Sequence, residues 1–328
     1  MWLVTGATGH LGNVLVRKLL NRGEKVRALL LPGECRESIN GLNVEACEGD
    51  ILNLDSVSRS MRGIQGVFHL AGVISIMPGA NQFVRNVNVE GTKNILRSLM
   101  ENGIKKLIYT SSIHAIQRAE DGVIDENLPY VMDNPYGAYD RSKAEATLEV
   151  LNAAQAGLEA VVACPTGVIG PYDFRRSMMG AVIHDAAVAK PTLYVDGAYD
   201  FVDVRDVADG LISAAENGKR GESYILSGQR ISVRYMLETV REITGRNFFQ
   251  MKIPIDLAKF VALFTPTYYR LANATPRLTS YSLEVLQSNS NISHAKATHE
   301  LGYSPRSLYE SIKDTVKWFL DRKNKFIR

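Results

Sequence analysis

Apolar residues in the first half of the chain fall into short blocks, separated by stretches in which they recur every three or four positions. Trp2-Leu3-Val4, Lys25 to Leu31, Val44 to Cys47, Val67 to Ala71, Lys106 to Ser112 and Glu159 to Cys164 are blocks of strand length. Between the first two, Leu11, Val14, Leu15, Val16 and Leu19 trace one helical stripe, and Gly23 stands where a chain leaving a helix turns left-handed. Asn81 to Glu101 and Tyr139 to Ala156 are the clearest helices, stopped by Gly103 and Gly157. Strand and helix in alternation predict an α/β fold, a doubly wound parallel sheet with helices on both faces. Past residue 170 the rhythm loosens. Phe201-Val202-Asp203-Val204 and Ser223 to Leu226 still read as strands of the main sheet, whereas 170–198 and 229–328 do not continue the alternation. The expected division is a sheet domain of residues 1–169 plus 199–228 and a smaller lobe of 170–198 plus 229–328. That lobe would close over the carboxyl edge of the sheet, where open α/β sheets bind ligands.

The first block runs straight into Thr5-Gly6-Ala7-Thr8-Gly9-His10-Leu11-Gly12. Gly6 lets the chain leave the strand in a tight turn, Gly9 lets backbone approach a pyrophosphate, and Gly12 lets helix pack on strand. The helix N-terminus that follows presents free N–H groups to an anion. The spacing departs by one residue from the dehydrogenase fingerprint G-x-G-x-x-G.

Composition narrows the class without naming it. At 328 residues, 45% hydrophobic and 22% charged, the chain has the make-up of a soluble globular protein with room for a full core. Its 38 Lys+Arg against 35 Asp+Glu is too weak a bias to argue for nucleic acid. Cys35, Cys47 and Cys164 form no C-x-x-C pair, so neither a disulfide framework nor a zinc site is suggested, and no His, Asp, Glu or Cys grouping has metal-ligand spacing. No signal-peptide pattern precedes the first strand and no apolar run spans a bilayer, so a cytoplasmic protein is expected.

The second chemical signal is Tyr139-Asp140-Arg141-Ser142-Lys143 at the start of a helix. Residues four apart share a helix face, which can bring the ammonium near the phenol. A neighbouring cation lowers a phenol's pKa toward the range useful for acid–base work. Tyr309 and Lys313 repeat the spacing in a polar helix, where a solvated face explains it. Tyr139 differs because Tyr109-Thr110-Ser111-Ser112 ends a strand before it and delivers hydroxyls to the carboxyl edge of the sheet.

With glycine turn, strand-end serine and Tyr-Lys pair in this order, the chain resembles the extended short-chain dehydrogenase/reductases. The resemblance extends through Gly49-Asp50-Ile51, His69-Leu70-Ala71-Gly72, Asn88 to Thr92, Pro165-Thr166-Gly167, Phe201 to Ala208 and Leu301 to Pro305. It implies a Rossmann-type domain in which Gly6, Thr8, Gly9, His10, Leu11 and Gly12 hold the dinucleotide. Asp50 and Ile51 would hold the adenine, Leu70, Ala71 and Gly72 would line the groove, and Pro165, Thr166, Gly167 and Val168 would run along the nicotinamide. Lys143 would bind the nicotinamide ribose, Tyr139 act as acid and base, and Ser112 orient the substrate carbonyl. Asn88 is expected to brace a helix against its neighbouring strand. The resemblance also suggests a homodimer through the helices that start near Asn81 and Tyr139, with a monomer left open.

Two branches of the family compete. Nucleotide-sugar epimerases and dehydratases often carry an Arg-Asp pair where this chain has Tyr199-Asp200, and Asn where it has Cys164; Arg175, Arg176 or Arg205 would have to substitute. The other branch, similar to dihydroflavonol reductases and 3β-hydroxysteroid dehydrogenases, acts on bulky apolar ketones and alcohols. Ile253 to Leu271, with Leu257, Phe260, Val261, Phe264 and Tyr268 at helix-like spacing, is suited to wall an apolar pocket, with ordinary core or a dimer face as the plain alternatives. For a membrane surface, Lys259 and Arg270 are too few to make a basic face. His114, Tyr172, Met178 and Tyr199 are the candidate substrate neighbours. The expected activity is thus an NAD(P)-dependent oxidoreductase acting on a small apolar carbonyl or alcohol. A non-catalytic dinucleotide sensor would be expected to lack the Ser-Tyr-Lys set.

Ribose selectivity should be written at the tip of the second strand, Leu31-Pro32-Gly33-Glu34-Cys35-Arg36. An acid there bonds a 2′-hydroxyl and a base accepts a 2′-phosphate. Glu34 would serve NAD(H) and Arg36 NADP(H), and the balance leans to NADP(H).

Overall fold

A computed structural model describes residues 1–77, 79–272 and 278–325. Its strands are β1 (Trp2–Thr5), β2 (Val26–Leu30), β3 (Glu45–Glu48), β4 (Gly66–His69), β5 (Lys106–Thr110), β6 (Glu159–Pro165), β7 (Gly167–Ile169), β8 (Thr192–Val195), β9 (Ala198–Asp203), β10 (Ser223–Leu226), β11 (Gln229–Ser232) and β12 (Gln250–Ile253). Helices of the sheet domain are α1 (His10–Asn21), α2 (Leu54–Ser60), α3 (Gln82–Arg85), α4 (Gly91–Glu101) and α5 (Ala138–Gln155). Then come α6 (Met178–Ala187), α7 (Val204–Asn217), α8 (Val233–Thr244), α9 (Ile255–Ala262), α10 (Thr265–Leu271), α11 (Ser280–Gln287), α12 (Ala295–Leu301) and α13 (Leu308–Lys325).

Seven parallel strands form the main sheet in the order β10-β6-β5-β4-β1-β2-β3. The order reverses between β1 and β4, and the crevice at such a switch point is where doubly wound sheets take ligands. The apolar runs of the sequence are the strands with both faces covered. On one face, Val14, Leu15 and Leu19 of α1 and Leu211 of α7 join Val4, Ala28 and Phe68 of the sheet. On the other, Val57 of α2, Ile95 and Leu99 of α4 and Val150 of α5 cover Leu3, Val67 and Leu107. Gly103 and Gly157 take positive φ just past α4 and α5, as their positions after the apolar stripes require.

Two readings of the pattern need correction. The helix predicted over Asn81 to Glu101 is α3 and α4 joined by a wide π turn, Asn86–Glu90, and Asn81 caps its start by accepting from the Val84 N–H. From that turn Asn88 bonds the Val73 N–H and C=O and the Ser142 hydroxyl, bracing the segment after β4 against α5. The run Phe201 to Val204 is not a strand of the main sheet. Phe201, Val202 and Asp203 end β9, which pairs with β7 and β11 in a separate three-stranded sheet, and Val204 opens α7. The chain enters that sheet at Gly167, where a Cβ would stand 2.7 Å from the Phe201 ring. A buried apolar run reads alike in either sheet; this close approach decides the pairing.

The rest of the late segments forms its own layer. α13 packs on α6 and α8 through Ile312, Val316 and Phe319, and β8 pairs in parallel with β12. Among the described residues, no helix is long and apolar enough to cross a membrane.

Candidate active site

The glycine turn lies at the carboxyl end of β1. Gly6 has φ +67°, and a Cβ there would sit 2.8 Å from the Ala71 nitrogen, so the turn and the tip of β4 touch through backbone alone. A Cβ on Gly12 would fall 2.0 Å from the Gly6 carbonyl oxygen. Strand, turn and helix therefore close on one another only when both residues are glycine, and the N-terminus of α1 is left facing the crevice. These cradle features fit a dinucleotide pyrophosphate.

Behind the turn, one hydroxyl ties β1 to β4. Thr5 Oγ1 accepts from the Leu70 and Ala71 N–H groups at 3.1 Å each, so its own proton goes to His69 Nδ1 at 2.7 Å. His69 is then the tautomer carrying its proton on Nε2, which faces Thr92 Oγ1 at 3.1 Å, and Thr92 donates onward to the Asn88 carbonyl. Burial, with help from the Lys143 charge, pushes the His69 pKa down to about 3, so the ring is neutral.

Ser112, Tyr139 and Lys143 meet beyond the end of β5, all buried. Ser112 caps a single 3-10 turn, accepting from the His114 N–H, and Tyr139 and Lys143 occupy successive turns of α5. Burial pushes the Tyr139 phenol up to about 12, against a downward pull from its hydrogen bond with Ser112. Burial pushes Lys143 down to about 8. The expectation that Lys143 would depress the Tyr139 pKa is not met here: the lysine reaches past the phenol to β5, donating to the Thr110 carbonyl at 2.8 Å with the Tyr109 hydroxyl at 3.5 Å. Lys143 also stands beside Gly72, where a Cβ would come within 3.5 Å of its nitrogen.

A chain of buried polar groups borders Tyr139. Arg118 donates to Asp140 Oδ2 at 2.8 Å, and the Tyr281 hydroxyl donates to Asp140 Oδ1 at 2.6 Å. Tyr281 Oη, its proton spent, accepts from His114 Nδ1 at 3.2 Å, which leaves His114 Nε2 to accept from the Tyr199 hydroxyl at 3.2 Å. Burial lowers the His114 pKa and keeps it neutral. Two of the expected substrate neighbours, His114 and Tyr199, thus lie together, stacked with rings 5.9 Å apart and beside Tyr139. Arg118, Asp140 and Tyr281 were not singled out from sequence. Asp140 adjoins the Tyr139 motif and was available there, but nothing local to Tyr281 points back across 141 residues.

The other candidates divide. Thr8 donates to Glu34, which also accepts from Arg175 and from the Leu31 N–H. Burial raises the Glu34 pKa, but these hydrogen bonds outweigh it and leave the carboxyl below its ordinary value. Arg36 is exposed and paired with Glu48. His10 opens α1 with its ring on the Pro171 carbonyl at 3.0 Å, Leu11 follows it, and Asp50 accepts from the Leu52 N–H at 2.9 Å. Ile51 packs where a Cβ on Gly91 would meet it at 2.6 Å. Pro165 ends β6, Gly167 and Val168 lie in β7, and the Thr166 hydroxyl between them donates to Asp200 at 2.6 Å. Burial pushes Asp200 up to about 6. Two substrate candidates do not join the His114 group: Tyr172 lies over the Arg17 guanidinium and near Trp318, held by packing on α1 and α13, and Met178 is exposed at the start of α6. The aromatic run on α9 and α10 faces outward, with Leu257, Phe260, Phe264 and Tyr268 exposed.

Known proteins share this plan along its whole length. The NAD dependent epimerase/dehydratase family matches residues 2–227. The chain is 34% identical to sterol demethylase protein B of Methylococcus capsulatus, covering 98% of each chain. It is 32% identical to a putative dihydroflavonol 4-reductase of Synechocystis, covering 97% of this chain and 94% of that one. Its structure matches the crystal structure of gox2253 with a TM-score of 0.84 at 33% identity over 98% of both chains. Glycine turn, buried Ser-Tyr-Lys group and full-length likeness agree: the chain belongs to the NAD-dependent epimerase/dehydratase family, the extended short-chain dehydrogenase/reductases.

Proposed function

We propose that this chain interconverts a ketone or aldehyde and an alcohol on a bulky apolar small molecule, using NAD(H). The observation that carries the reading is the buried Ser112–Tyr139 pair beside Lys143 at the carboxyl end of β5. A dinucleotide bound along the Gly6–Gly12 cradle, Asp50 and Ala71–Gly72 supplies hydride exchange at a carbon bearing oxygen. The chain's own residues handle the proton. Tyr139, protonated at neutral pH, donates from Oη to a carbonyl oxygen in reduction and takes the proton back in oxidation. Ser112 hydrogen-bonds the same oxygen as charge develops on it. Lys143, with its ammonium held by the Thr110 carbonyl, offers donors to a ribose.

Charge distribution supports an apolar substrate. Of the three arginines that would have to grip a sugar diphosphate, two are committed, Arg205 to Asp203 and Asp314 and Arg175 to Glu34, and Arg176 is exposed. The relatives named for a sterol and a dihydroflavonol point the same way. On the cofactor, Glu34 beside Thr8 supports NAD(H) over the NADP(H) that Arg36 suggested, because a carboxylate accepts from a 2′-hydroxyl and repels a 2′-phosphate. Residues 170–198 and 229–328 supply the substrate side of this reading through Tyr281, beside Tyr199 of β9. The test is absorbance-monitored turnover of NADH and NADPH with aromatic, steroid and flavonoid-like ketones, beside calorimetric binding of nucleotide sugars. Reduction of apolar ketones with NADH is expected; tight nucleotide-sugar binding without ketone reduction overturns the reading.

A further inference from the structure

A cation from the far half of the chain reaches the glycine turn. Arg175 donates from Nη2 to Thr8 Oγ1 at 2.8 Å and to Glu34 Oε1 at 2.5 Å, and Thr8 donates to that same carboxylate oxygen. Thr8 lies inside the turn, between Gly6 and Gly9, and Glu34 follows the end of β2. The three side chains close a triangle at the carboxyl ends of β1 and β2, although Arg175 stands 167 residues from Thr8.

The segment that carries Arg175 is fastened at its root. The Pro171 carbonyl accepts from His10 Nε2 at 3.0 Å and the Tyr172 carbonyl from Asn13 Nδ2 at 3.1 Å, both on α1, and the Tyr172 ring lies over Arg17 of the same helix. The buried Asp173 carboxylate accepts from the N–H and the hydroxyl of Ser177, at 2.7 Å each, and Ser177 caps α6. Among the described residues three non-glycine positions take positive φ, and two of them, Tyr172 at 66° and Arg176 at 52°, bracket this turn. Such backbone persists only where its surroundings over-determine it. The Arg175 side chain is 57% exposed, so a long arm swings from a fixed base.

Holding the fold does not account for that arm, because an ion pair with one member so exposed contributes little to stability. Both of its partners belong to the dinucleotide site, Thr8 to the cradle and Glu34 to the ribose end. A pyrophosphate over the turn carries full charge, which the N-terminus of α1 meets with partial charge alone. A guanidinium already bonded to the turn's own threonine stands within a side chain's reach of it, and its fork of donors matches phosphate oxygens.

We propose that Arg175 is a clasp on the dinucleotide, giving up Glu34 to the adenosine ribose and closing on the pyrophosphate. The proposal rests on the NAD(H) reading above and adds to it a binding residue from the segment 170–198. Charge stays compensated in both states: Glu34 exchanges the cation for ribose hydroxyls, and Arg175 exchanges one carboxylate for the diphosphate. An arginine spent on the cofactor is not available to a sugar diphosphate, in agreement with an apolar substrate. The clasp also ties the cofactor to α6, which packs on α8 and α13.

The test is calorimetric titration of the full chain with NADH and with ADP-ribose, which keeps the pyrophosphate and lacks the nicotinamide. Arg175→Met should weaken both by about tenfold, the scale of one hydrogen bond to a charged group. Arg175→Lys, which keeps a point charge without the fork, should cost only about two- to threefold. Unchanged melting shows that the variants fold. Glu34→Gln separates a clasp from a prop: with the carboxylate gone, Arg175→Met should still weaken ADP-ribose by about tenfold, since the diphosphate is its partner. If the loss vanishes in that background, Arg175 serves only to orient Glu34 and the proposal falls. Unchanged binding by Arg175→Met overturns it, and so does tighter binding, which would make the arginine a block. A wild-type chain that binds neither ligand removes the clasp and the cofactor reading together, whereas wild-type binding that Arg175→Met leaves intact removes the clasp alone. Ketone reduction enters none of these readouts, so the proposed activity can fail while the clasp stands.

Discussion

The Lys143 ammonium lies 2.8 Å from the Thr110 carbonyl oxygen, in a buried position that holds its pKa near 8. The folded protein favours the neutral amine relative to a free lysine, so the ammonium is present below about pH 8 and is lost above it. NADH affinity, followed by quenching or transfer fluorescence, should be level up to about that pH and then decline. Lys143→Met should bind more weakly and show no such break. A decline of unchanged shape in the variant would assign it to another group.

Tyr139→Phe keeps the ring and its packing but removes the proton. Turnover should fall by about 10²–10⁴-fold, the usual contribution of a positioned acid–base group, with NADH affinity within a few-fold of wild type. Steady-state kinetics beside a binding titration separate the two, and near-normal turnover would remove Tyr139 from its assigned role.

Gly12→Ala places a methyl 2.0 Å from the Gly6 carbonyl oxygen, an atom of backbone that cannot swing aside. Either α1 or the turn must shift, at a cost of about 1–3 kcal/mol or more by analogy with overpacked cores. Thermal melting should drop and dinucleotide binding should weaken together. Gly23→Ala is the control, because no atom lies within 4 Å of its added Cβ and only its φ of +79° is strained.

His69 makes stability depend on pH in the acid range. Its folded pKa, near 3, lies below the unfolded value near 6.5, so folding favours the neutral ring. The stabilisation is complete above about pH 6.5 and is lost progressively as pH falls toward 3. Denaturant melts between pH 7.5 and 4.5 should show stability falling through this window. His69→Asn should start lower and fall less steeply.

Tyr281→Phe leaves the buried Asp140 with Arg118 but without its hydroxyl donor. A hydrogen bond to a charged group is worth about 1.5–3 kcal/mol, and that loss should appear in chemical denaturation. His114 Nδ1–H loses its acceptor in the same variant, so its NMR resonance should shift although residue 281 is far away in sequence.

Much of this architecture was legible because buried parallel strands write themselves as apolar runs, and β1, β2, β4, β5, β6 and β10 all fell within a few residues of their expected positions. The glycine turn was legible for a steric reason: no other residue fits at Gly6 or Gly12. What escaped depends on partners rather than pattern. Phe201 to Asp203 has the same composition in either sheet, and its pairing with β7 and β11 places it. Tyr172 is a candidate substrate neighbour by sequence, but its ring lies against the Arg17 guanidinium of α1. On α9 the periodicity was right and the facing inverted, since an apolar stripe does not say which side is out. The polar chain from Tyr199 to Arg118 draws on four separate segments, and no local window contains it.

Two short crossings join the two sheets, Thr166 from β6 to β7 and Ser227-Gly228 from β10 to β11. β6 belongs to the main sheet and β7 to the three-stranded one, with Thr166 alone between them, and its hydroxyl is fastened to Asp200 in the middle of β9. The hinge between layers is therefore also a stretch of the proposed cofactor wall. A tilt of the three-stranded sheet against the main sheet would twist the chain at Thr166 and at Gly228, both bonded to Asp200, so movement at the substrate side would reach the proposed cofactor wall through that one carboxylate.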